Sequence, residues 1–274
     1  MGLRWSNFDA DLRAKILDSL RNNVSHFNQQ NIANSLLSLA QMGLRWVDFD
    51  TPLQNALIES VRRNVEAFNS QEISTSLLAL SRLHIDNDEI LELLINQVGR
   101  LDSFLSIDAN QILLALTWIK AYRGKIFIDL ENRFEPHLEI EESRFHQGVM
   151  KIINECDITV EKEKRMGVKG VISVDCFIPA KNLVIEVHGP SHYSLDGSLN
   201  VKSEKQAELI KTLGYNYKVI SYKNWIELKN DAEKKAFIRK LMPNQLHADA
   251  SVFRPRSDLD PNAKVFTSKH NITT

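Results

Sequence analysis

The sequence predicts two architectures in series, an α-solenoid of helical-hairpin repeats followed by an α/β domain. Three observations predict this order: a segment that repeats in register, the loss of that repeat after Trp118, and a change to strand patterns from about Glu139. With 274 residues, of which 43% are apolar, the chain is long enough for one large domain or two ordinary ones.

Two consecutive segments of 41 residues, beginning at Met1 and Met42, match each other in register without a gap. A third and more divergent copy emerges when the stretches FNQQNIANSLLSLAQM, FNSQEISTSLLALSRL and FLSIDANQILLALTWI are superimposed. These stretches begin at Phe27, Phe68 and Phe104, so the last spacing shortens to 36 residues. An internal period of this length is typical of helical repeat proteins.

Each repeat unit splits into two amphipathic helical patterns. In the first unit, LRAKILDSLRNNV places Leu12, Ile16 and Leu20 on one face, and NIANSLLSLAQM forms a second apolar face. Neighbouring units of two helices bury one another's apolar faces. We therefore expect a helical repeat array of about three units over residues 1–120, followed by a connecting segment over residues 121–138.

From residue 139 the pattern changes to strands flanked by helices. We expect a helix over residues 142–154, three strands, a helix that ends at Gly214, a fourth strand and one or two closing helices. This order predicts a mixed sheet with helices on its faces over residues 139–241. The last stretch, residues 242–274, has little periodicity and is expected to be a mobile tail.

Composition and charge narrow the class of protein. A formal net charge of −1 argues against a protein that binds nucleic acid mainly as a polycation, so any such binding must rely on local patches. Cys156 and Cys176 offer neither the number nor the spacing of a zinc site or disulfide framework, and we expect two free thiols.

There is no signal-peptide pattern and no apolar run approaching roughly 18 residues. We expect a location in the bacterial cytoplasm or an organellar matrix.

The repeat motif ANSLLSLAQMGLRW resembles the helical repeats of the octotricopeptide and heptatricopeptide-like families of RNA-processing proteins. This resemblance implies binding of single-stranded RNA along the concave face of the array. Polar positions that vary between units are candidates for base contacts, because such proteins read about one base per unit. A solvated helix face that varies freely is the alternative. The RNA-binding candidates are Asn31, Glu72 and Asp108 at one repeat position, and Asn34, Thr75 and Gln111 three residues later.

Two acidic residues interrupt the second and third strand patterns of the α/β domain. Asp175 lies in VISVDCFIP and Glu186 follows eleven residues later in NLVIEVHG, with His188 two positions further on the same strand face. Carboxylates from adjacent strands can hold a divalent cation, while a basic residue steadies water or charge. This pattern is typical of metal-dependent nucleases of the PD-(D/E)xK type. A solvated outer edge of the sheet is the alternative.

The stretch VDCFIPAKNLVIEVHGPSHY, together with LIKTLGYNYKVISYKNWIEL, resembles the RAP domain, which is also found at the C-terminus of octotricopeptide proteins. The resemblance covers residues 139–241. It implies a fold like that of the very short patch repair endonucleases, hence an α/β domain of nuclease-like PD-(D/E)xK type, and a role in RNA binding, processing or stabilisation.

The candidate catalytic residues follow from this motif. His188 stands where a nuclease of this type has lysine, and a histidine can act as a base or as a phosphate partner near neutral pH. Lys205 on the following helix would supply the missing positive charge. Histidines that hydrogen-bond the Gly-Pro turn are the alternative for the imidazoles. The full candidate set is Asp175, Glu186, His188, His192 and Lys205.

A divalent cation is the implied cofactor if the domain is catalytic. Asp175 and Glu186, with Glu142 on the leading helix as a further ligand, would hold Mg²⁺ or Mn²⁺. A basic cluster precedes the strands that carry the acids, where an RNA backbone phosphate could lie. Its members are Lys162, Lys164, Arg165 and Lys169.

These features lead to one principal hypothesis and two rivals. The principal hypothesis is an RNA-binding protein that processes or cleaves single-stranded RNA, in its sharper form a metal-dependent endoribonuclease. The first rival is a non-catalytic RNA-binding regulator of RNA stability. The second is a protein-interaction scaffold with a protein partner on the solenoid, because helical repeat arrays serve that role widely.

Overall fold

The computed structural model of the chain describes residues 3–137, 143–194 and 196–242. These residues divide into two compact units, the first ending at His137 and the second covering the described residues from Ser143 onward. Glu142 lies outside the described residues, as do residues 243–274, which make up nearly all of the expected tail.

The first unit is built from helices. Three helical hairpins follow one another along the chain, and a short helix comes after them. Within the described residues its α-helices are α1 (Ala10–Asn23), α2 (Gln29–Gln41), α3 (Thr51–Asn64), α4 (Ser70–Arg82), α5 (Asp88–Arg100), α6 (Ser106–Arg123) and α7 (Ile128–Arg133). The N-terminal part of the chain is therefore helical, as the periodicity predicted.

Polar caps explain where these helices begin. An aspartate or asparagine precedes each of the first five helices, and its side-chain oxygen accepts the backbone N–H of the third helical residue. Each such cap stabilises a helix by about 1 kcal/mol. The residue after the end of α6 is Gly124, whose φ of 64° is a left-handed conformation that suits glycine. The capping residues are Asp9, Asn28, Asp50, Asn69 and Asn87.

The second helices of the three hairpins pack side by side, with α4 between α2 and α6. Fully buried aliphatic side chains such as Leu36, Leu77 and Ile112 form the core between them. The same main-chain contact recurs one period apart, since the N–H of Trp5 donates to Met42 O and the N–H of Trp46 donates to Leu83 O. The internal repeat is therefore visible in backbone contacts as well as in the sequence.

The second unit contains a four-stranded mixed sheet. Its elements are α8 (Arg144–Asn154), β1 (Glu161–Met166), β2 (Ile172–Ile178), β3 (Leu183–His188), α9 (Val201–Thr212), β4 (Asn216–Ser221), α10 (Tyr222–Ile226) and α11 (Asp231–Leu241). The strand order is β1-β2-β3-β4, with the first two pairings antiparallel and the last parallel. The predicted order of a helix, three strands, a helix, a strand and closing helices is confirmed.

One face of this sheet forms the hydrophobic core of the second unit. Cys176, Ile185 and Ile220 pack there against Val149 of α8 and Ile238 of α11. Both cysteines of the chain are free, as predicted, and both are buried. Burial, followed by the nearby charge of Asp175, raises the pKa of the Cys176 thiol to about 12, so this thiol stays protonated at neutral pH.

Within the described residues, no helix combines the length and the apolar character that a membrane span requires.

Candidate functional site

Asp175 and Glu186 meet on the face of the sheet opposite the hydrophobic core. The antiparallel register pairs Cys176 with Ile185, and continuing it by one residue places Asp175 opposite Glu186. Directly opposed residues of an antiparallel pair share one face and lie close together. Asp175 Oδ2 also accepts the backbone N–H of Val187 at 2.7 Å. The structure therefore brings the two acids of the sequence motif together.

Glu186 is the more deeply buried of the two acids, with 5% of its surface exposed. Burial raises its pKa well above the ordinary value, and the charge of Asp175 and a hydrogen bond between the two carboxyl groups raise it further. Gln206 Nε2 on α9 donates to Glu186 Oε1 at 3.1 Å and opposes this rise in pKa. Because its pKa is raised, Glu186 keeps a proton more readily than an exposed carboxyl group does, and a binding cation would compete with that proton.

His188 and His192 form a stacked pair beside the acids. Their ring centroids are 4.3 Å apart and their planes differ by 7°. His188 Nε2 lies 3.3 Å from the hydroxyl of Tyr217, and His192 Nδ1 lies 3.0 Å from Oγ of Ser203. The structure thus brings both predicted histidines into the site.

The protonation of His188 follows from its surroundings. Only 2% of its surface is exposed, and burial, together with the charge of His192, lowers its pKa to about 4 against the opposing effect of Asp175. His188 is therefore neutral at pH 7 and cannot replace the permanent cation of a lysine. Its Nδ1 is buried and has no hydrogen-bonding partner among the described residues. That atom is available to exchange a proton or to bind a ligand.

Tyr217 on β4 is a site residue that the sequence reasoning missed. Burial, then the charges of Glu186 and Asp175, raises the pKa of its phenol, so the hydroxyl stays protonated and can donate to His188. Gln206 and Ser203 on α9 were missed as well. The strand alternation of YNYKVISY was the available signal for Tyr217, because the parallel register pairs it with Val184, two residues from Glu186 on the same face.

Lys205 and Glu142 complete the predicted set. Lys205 is buried on α9, where its Nζ pairs with Glu208 Oε2 at 3.0 Å. Its neighbour Gln206 contacts Glu186. Glu142 lies outside the described residues, so its place relative to the acids is not defined.

The donor set at the acids suits a hard divalent cation. Asp175 and Glu186 offer carboxylate oxygens, the ligand type that Mg²⁺ and Mn²⁺ prefer. In the described parts of the chain, no group of three or more histidine, cysteine or acidic side chains surrounds a common point. A cation here would be held by two carboxylates, with water or phosphate oxygens as its other ligands, an arrangement that is ordinary for Mg²⁺.

The basic cluster lies on β1 and in the turn that follows. Lys162, Arg165 and Lys169 are exposed. Lys164 is half-buried, pairs with Glu161 at 2.6 Å and lies over the ring of Phe177. Three of the four predicted phosphate contacts therefore present their charges to solvent, while the fourth is engaged within the sheet.

The candidates at the first repeat position, Asn31, Glu72 and Asp108, cap the second helix of each hairpin. The backbone N–H of Asn28 donates to Asn31 Oδ1, and that of Asn69 donates to Glu72 Oε2. Asp108 accepts the N–H of Leu105 in the same way. An asparagine followed three residues later by a polar acceptor is a capping-box pattern, and it was a readable signal in the sequence. The side chains at this position stabilise the start of each helix.

The second set of repeat positions divides between buried and exposed residues. Thr75 Oγ1 and Ser74 Oγ both donate to Gln111 Oε1, at 3.2 and 3.1 Å, in a network between α4 and α6. Ser74 also contacts Asp108. Asn34 on α2 is exposed. Of these three residues, only Asn34 presents its side chain to solvent. Thr75 and Gln111 hydrogen-bond each other where α4 packs against α6.

Comparison with known families gives two matches. Residues 185–241 match the model of the RAP domain, and residues 10–36 and 42–76 match that of a protein of unknown function, DUF1601. The chain therefore contains a RAP domain, as its motifs predicted. RAP domains generally bind RNA. The match includes Glu186, His188 and His192 and begins after Asp175. No curated protein matches the chain.

Proposed function

We propose that this chain is an RNA-binding protein whose RAP domain cleaves single-stranded RNA at a divalent-metal site formed by Asp175 and Glu186. The single observation that carries the proposal is the contact of these two acids on one face of the sheet, where Glu186 is buried and its pKa is raised. Two carboxyl groups placed together in an apolar sheet destabilise the fold, and such an arrangement persists chiefly where function uses it.

The order of elements supports the nuclease-like part of the proposal. One acid lies on the second strand and the other on the third. The elements around them are a leading helix, a first strand, a helix and a parallel fourth strand. This is the arrangement expected of the PD-(D/E)xK type. The stacked hairpins α1–α6 would hold RNA through exposed residues such as Asn31 and Asn34.

The chemistry divides between the cation and the protein. A bound Mg²⁺ or Mn²⁺ supplies charge stabilisation at the scissile phosphate and lowers the pKa of a coordinated water. Asp175 and Glu186 would hold the cation, oriented by the N–H of Val187 and the amide of Gln206. With Nε2 of neutral His188 accepting the hydroxyl of Tyr217, Nδ1 carries the ring proton and would donate a hydrogen bond to the phosphate or to a metal-bound water.

A non-catalytic RNA-binding regulator is the second candidate, and a specific observation favours it. The pKa of Glu186 is raised by burial, which disfavours the ionised carboxylate that a metal needs, and His188 is neutral at pH 7 where a nuclease of this type has a lysine. On this alternative the acids and histidines maintain the fold of a domain that only binds RNA.

Cleavage of end-labelled single-stranded RNA in Mg²⁺ or Mn²⁺ distinguishes the two candidates. Asp175→Asn and Glu186→Gln are expected to abolish cleavage and to retain RNA binding in EDTA. Glu227→Gln removes an exposed carboxylate from the same domain and serves as the matched control, with cleavage retained. Cleavage that survives both site substitutions contradicts the proposed site. RNA binding without cleavage under any metal condition favours the regulator.

A further inference from the structure

A cleft of about 350 Å³ lies between α8 and β1 of the second unit, separate from the acid pair. It is large enough for a phosphate group with its sugar, and it lies at the small end of the usual range of ligand sites. The polar side chains that line it come from His146, Gln147, Lys151 and Asn154 on α8, and from Lys162 and Glu163 on β1.

His146 gives the cleft a buried hydrogen-bonding group. Only 8% of its surface is exposed, and its Nε2 has no hydrogen-bonding partner among the described residues. The backbone N–H of His146 is capped by Ser143 Oγ at 3.1 Å, so the imidazole is not needed to begin the helix. A buried nitrogen without a partner destabilises the fold, and a ligand that bonds to it removes that penalty.

The backbone of β1 is adapted to this cleft. Glu163 has a φ of 49°, which lies in the left-handed region that side chains other than glycine rarely adopt. Successive residues of a regular strand point to opposite faces, yet Lys162 and Glu163 both line the cleft. The left-handed residue explains how two adjacent side chains reach one place. Backbone strain of this kind concentrates at functional sites.

The charges in the cleft suit a phosphate beside a hydroxyl donor. Glu155, which also borders it, pairs with Lys235 Nζ at 2.9 Å, and its charge is thereby neutralised. Lys151 and Lys162 then provide two positive charges and Glu163 provides one negative charge. Lysines are common phosphate contacts, and a carboxylate can accept a hydrogen bond from a ribose hydroxyl.

We infer that the cleft between α8 and β1 is a ribonucleotide subsite that distinguishes RNA from DNA. Lys151 and Lys162 bind a backbone phosphate, Glu163 accepts a hydrogen bond from the ribose 2′-hydroxyl, and His146 Nε2 bonds to the same nucleotide. The 2′-hydroxyl is the group by which a protein separates the two nucleic acids. The inference rests on the proposed RNA-binding function and extends it from binding to discrimination.

The test measures binding of the full chain to a single-stranded RNA and to the DNA of the same sequence, by fluorescence anisotropy in EDTA. Lys162→Ala is expected to weaken binding of both by about fivefold to tenfold and to reduce the salt slope by about one. Glu163→Gln is expected to lower RNA affinity toward that for DNA, and His146→Phe to weaken RNA binding. Lys218→Ala removes an exposed charge from the opposite edge strand and serves as the control, with little change expected.

Glu163→Gly separates a loss of recognition from a loss of folding, because glycine accepts the left-handed conformation without strain. It is expected to lose discrimination between RNA and DNA while keeping the wild-type melting temperature. If the wild type binds neither nucleic acid, the proposed function fails. The subsite alone is overturned by a different result, in which the wild type binds RNA but Lys162→Ala binds it as tightly as Lys218→Ala does. In that result both Glu163 variants also keep the wild-type ratio of RNA affinity to DNA affinity. Unchanged RNA affinity in His146→Phe also counts against the subsite.

Discussion

Replacing Glu186 with glutamine should change the pH dependence of stability in a defined direction. In the folded protein, burial and the charge of Asp175 raise the pKa of Glu186, whereas the unfolded chain has the ordinary value of roughly 4.3. The folded state therefore keeps a proton that the unfolded state releases. The stabilising contribution is complete below pH 4.3 and is lost as the pH rises through the folded pKa.

The magnitude follows from one proton. Each pH unit between the unfolded and the folded pKa reduces the free energy of unfolding by about 1.4 kcal/mol. Glutamine has nearly the same shape and does not titrate, and its amide can donate to Asp175 as the protonated carboxyl does. Glu186→Gln is therefore expected to become more stable than the wild type as the pH rises.

Urea unfolding at pH 5, 6 and 7 in EDTA measures this difference. Glu227→Gln, at an exposed carboxylate of the same domain, controls for the loss of one negative charge. A constant difference between Glu186→Gln and the wild type across this range would refute the reasoning. It would mean that Glu186 ionises in the folded protein as it does in the unfolded chain.

Three further predictions follow from the same structure. The pKa of His188 falls from 6.5 to about 4 on folding, so its contribution to stability is present above pH 6.5 and is lost toward pH 4. The loss amounts to roughly 3 kcal/mol, and urea unfolding of His188→Gln should not show it. Leu53→Ala should destabilise the first unit by about 2–5 kcal/mol, and Leu12→Ala, one repeat earlier, by less than about 1 kcal/mol, because these leucines are 0% and 41% exposed. Asn69→Ala should lower stability by about 1 kcal/mol by removing the cap of α4, and thermal unfolding measures both effects.

The opposite signs of the Glu186 and His188 effects have a consequence for the wild type. As the pH rises from about 4.3, Glu186 makes the protein less stable while His188 makes it more stable. The two slopes oppose each other in the wild type. The single variants are needed to separate the two effects. Relative to the wild type, the free energy of unfolding should rise with pH in Glu186→Gln and fall with pH in His188→Gln.

The sequence was sufficient for much of the architecture. The period between Met1 and Met42 predicts the helical hairpins, and runs rich in β-branched residues predict β2 and β3. The short connection between β2 and β3 makes these strands neighbours. Asp175 and Glu186 therefore lie near one another whatever the remaining topology, and local sequence determines that contact.

The rest of the site depended on tertiary packing. Lys205 and Gln206 are adjacent on α9, and one residue turns a helix by about 100°, so only the packing of that helix decides which one meets Glu186. Tyr217 reaches His188 through a parallel pairing that the intervening helix makes possible. The left-handed backbone at Glu163 is equally invisible in the sequence, because EKEKRM is an ordinary strand pattern.

Calorimetric titration of the protein with Mn²⁺ at pH 7 tests the central claim most directly. Running it in two buffers that differ in their heat of ionisation gives the number of protons released on binding. The account predicts one Mn²⁺ site whose binding releases protons in the wild type and in Glu227→Gln, releases fewer in Glu186→Gln and is lost in Asp175→Asn. Binding that is unaffected by either site substitution, or no binding at all, would contradict it.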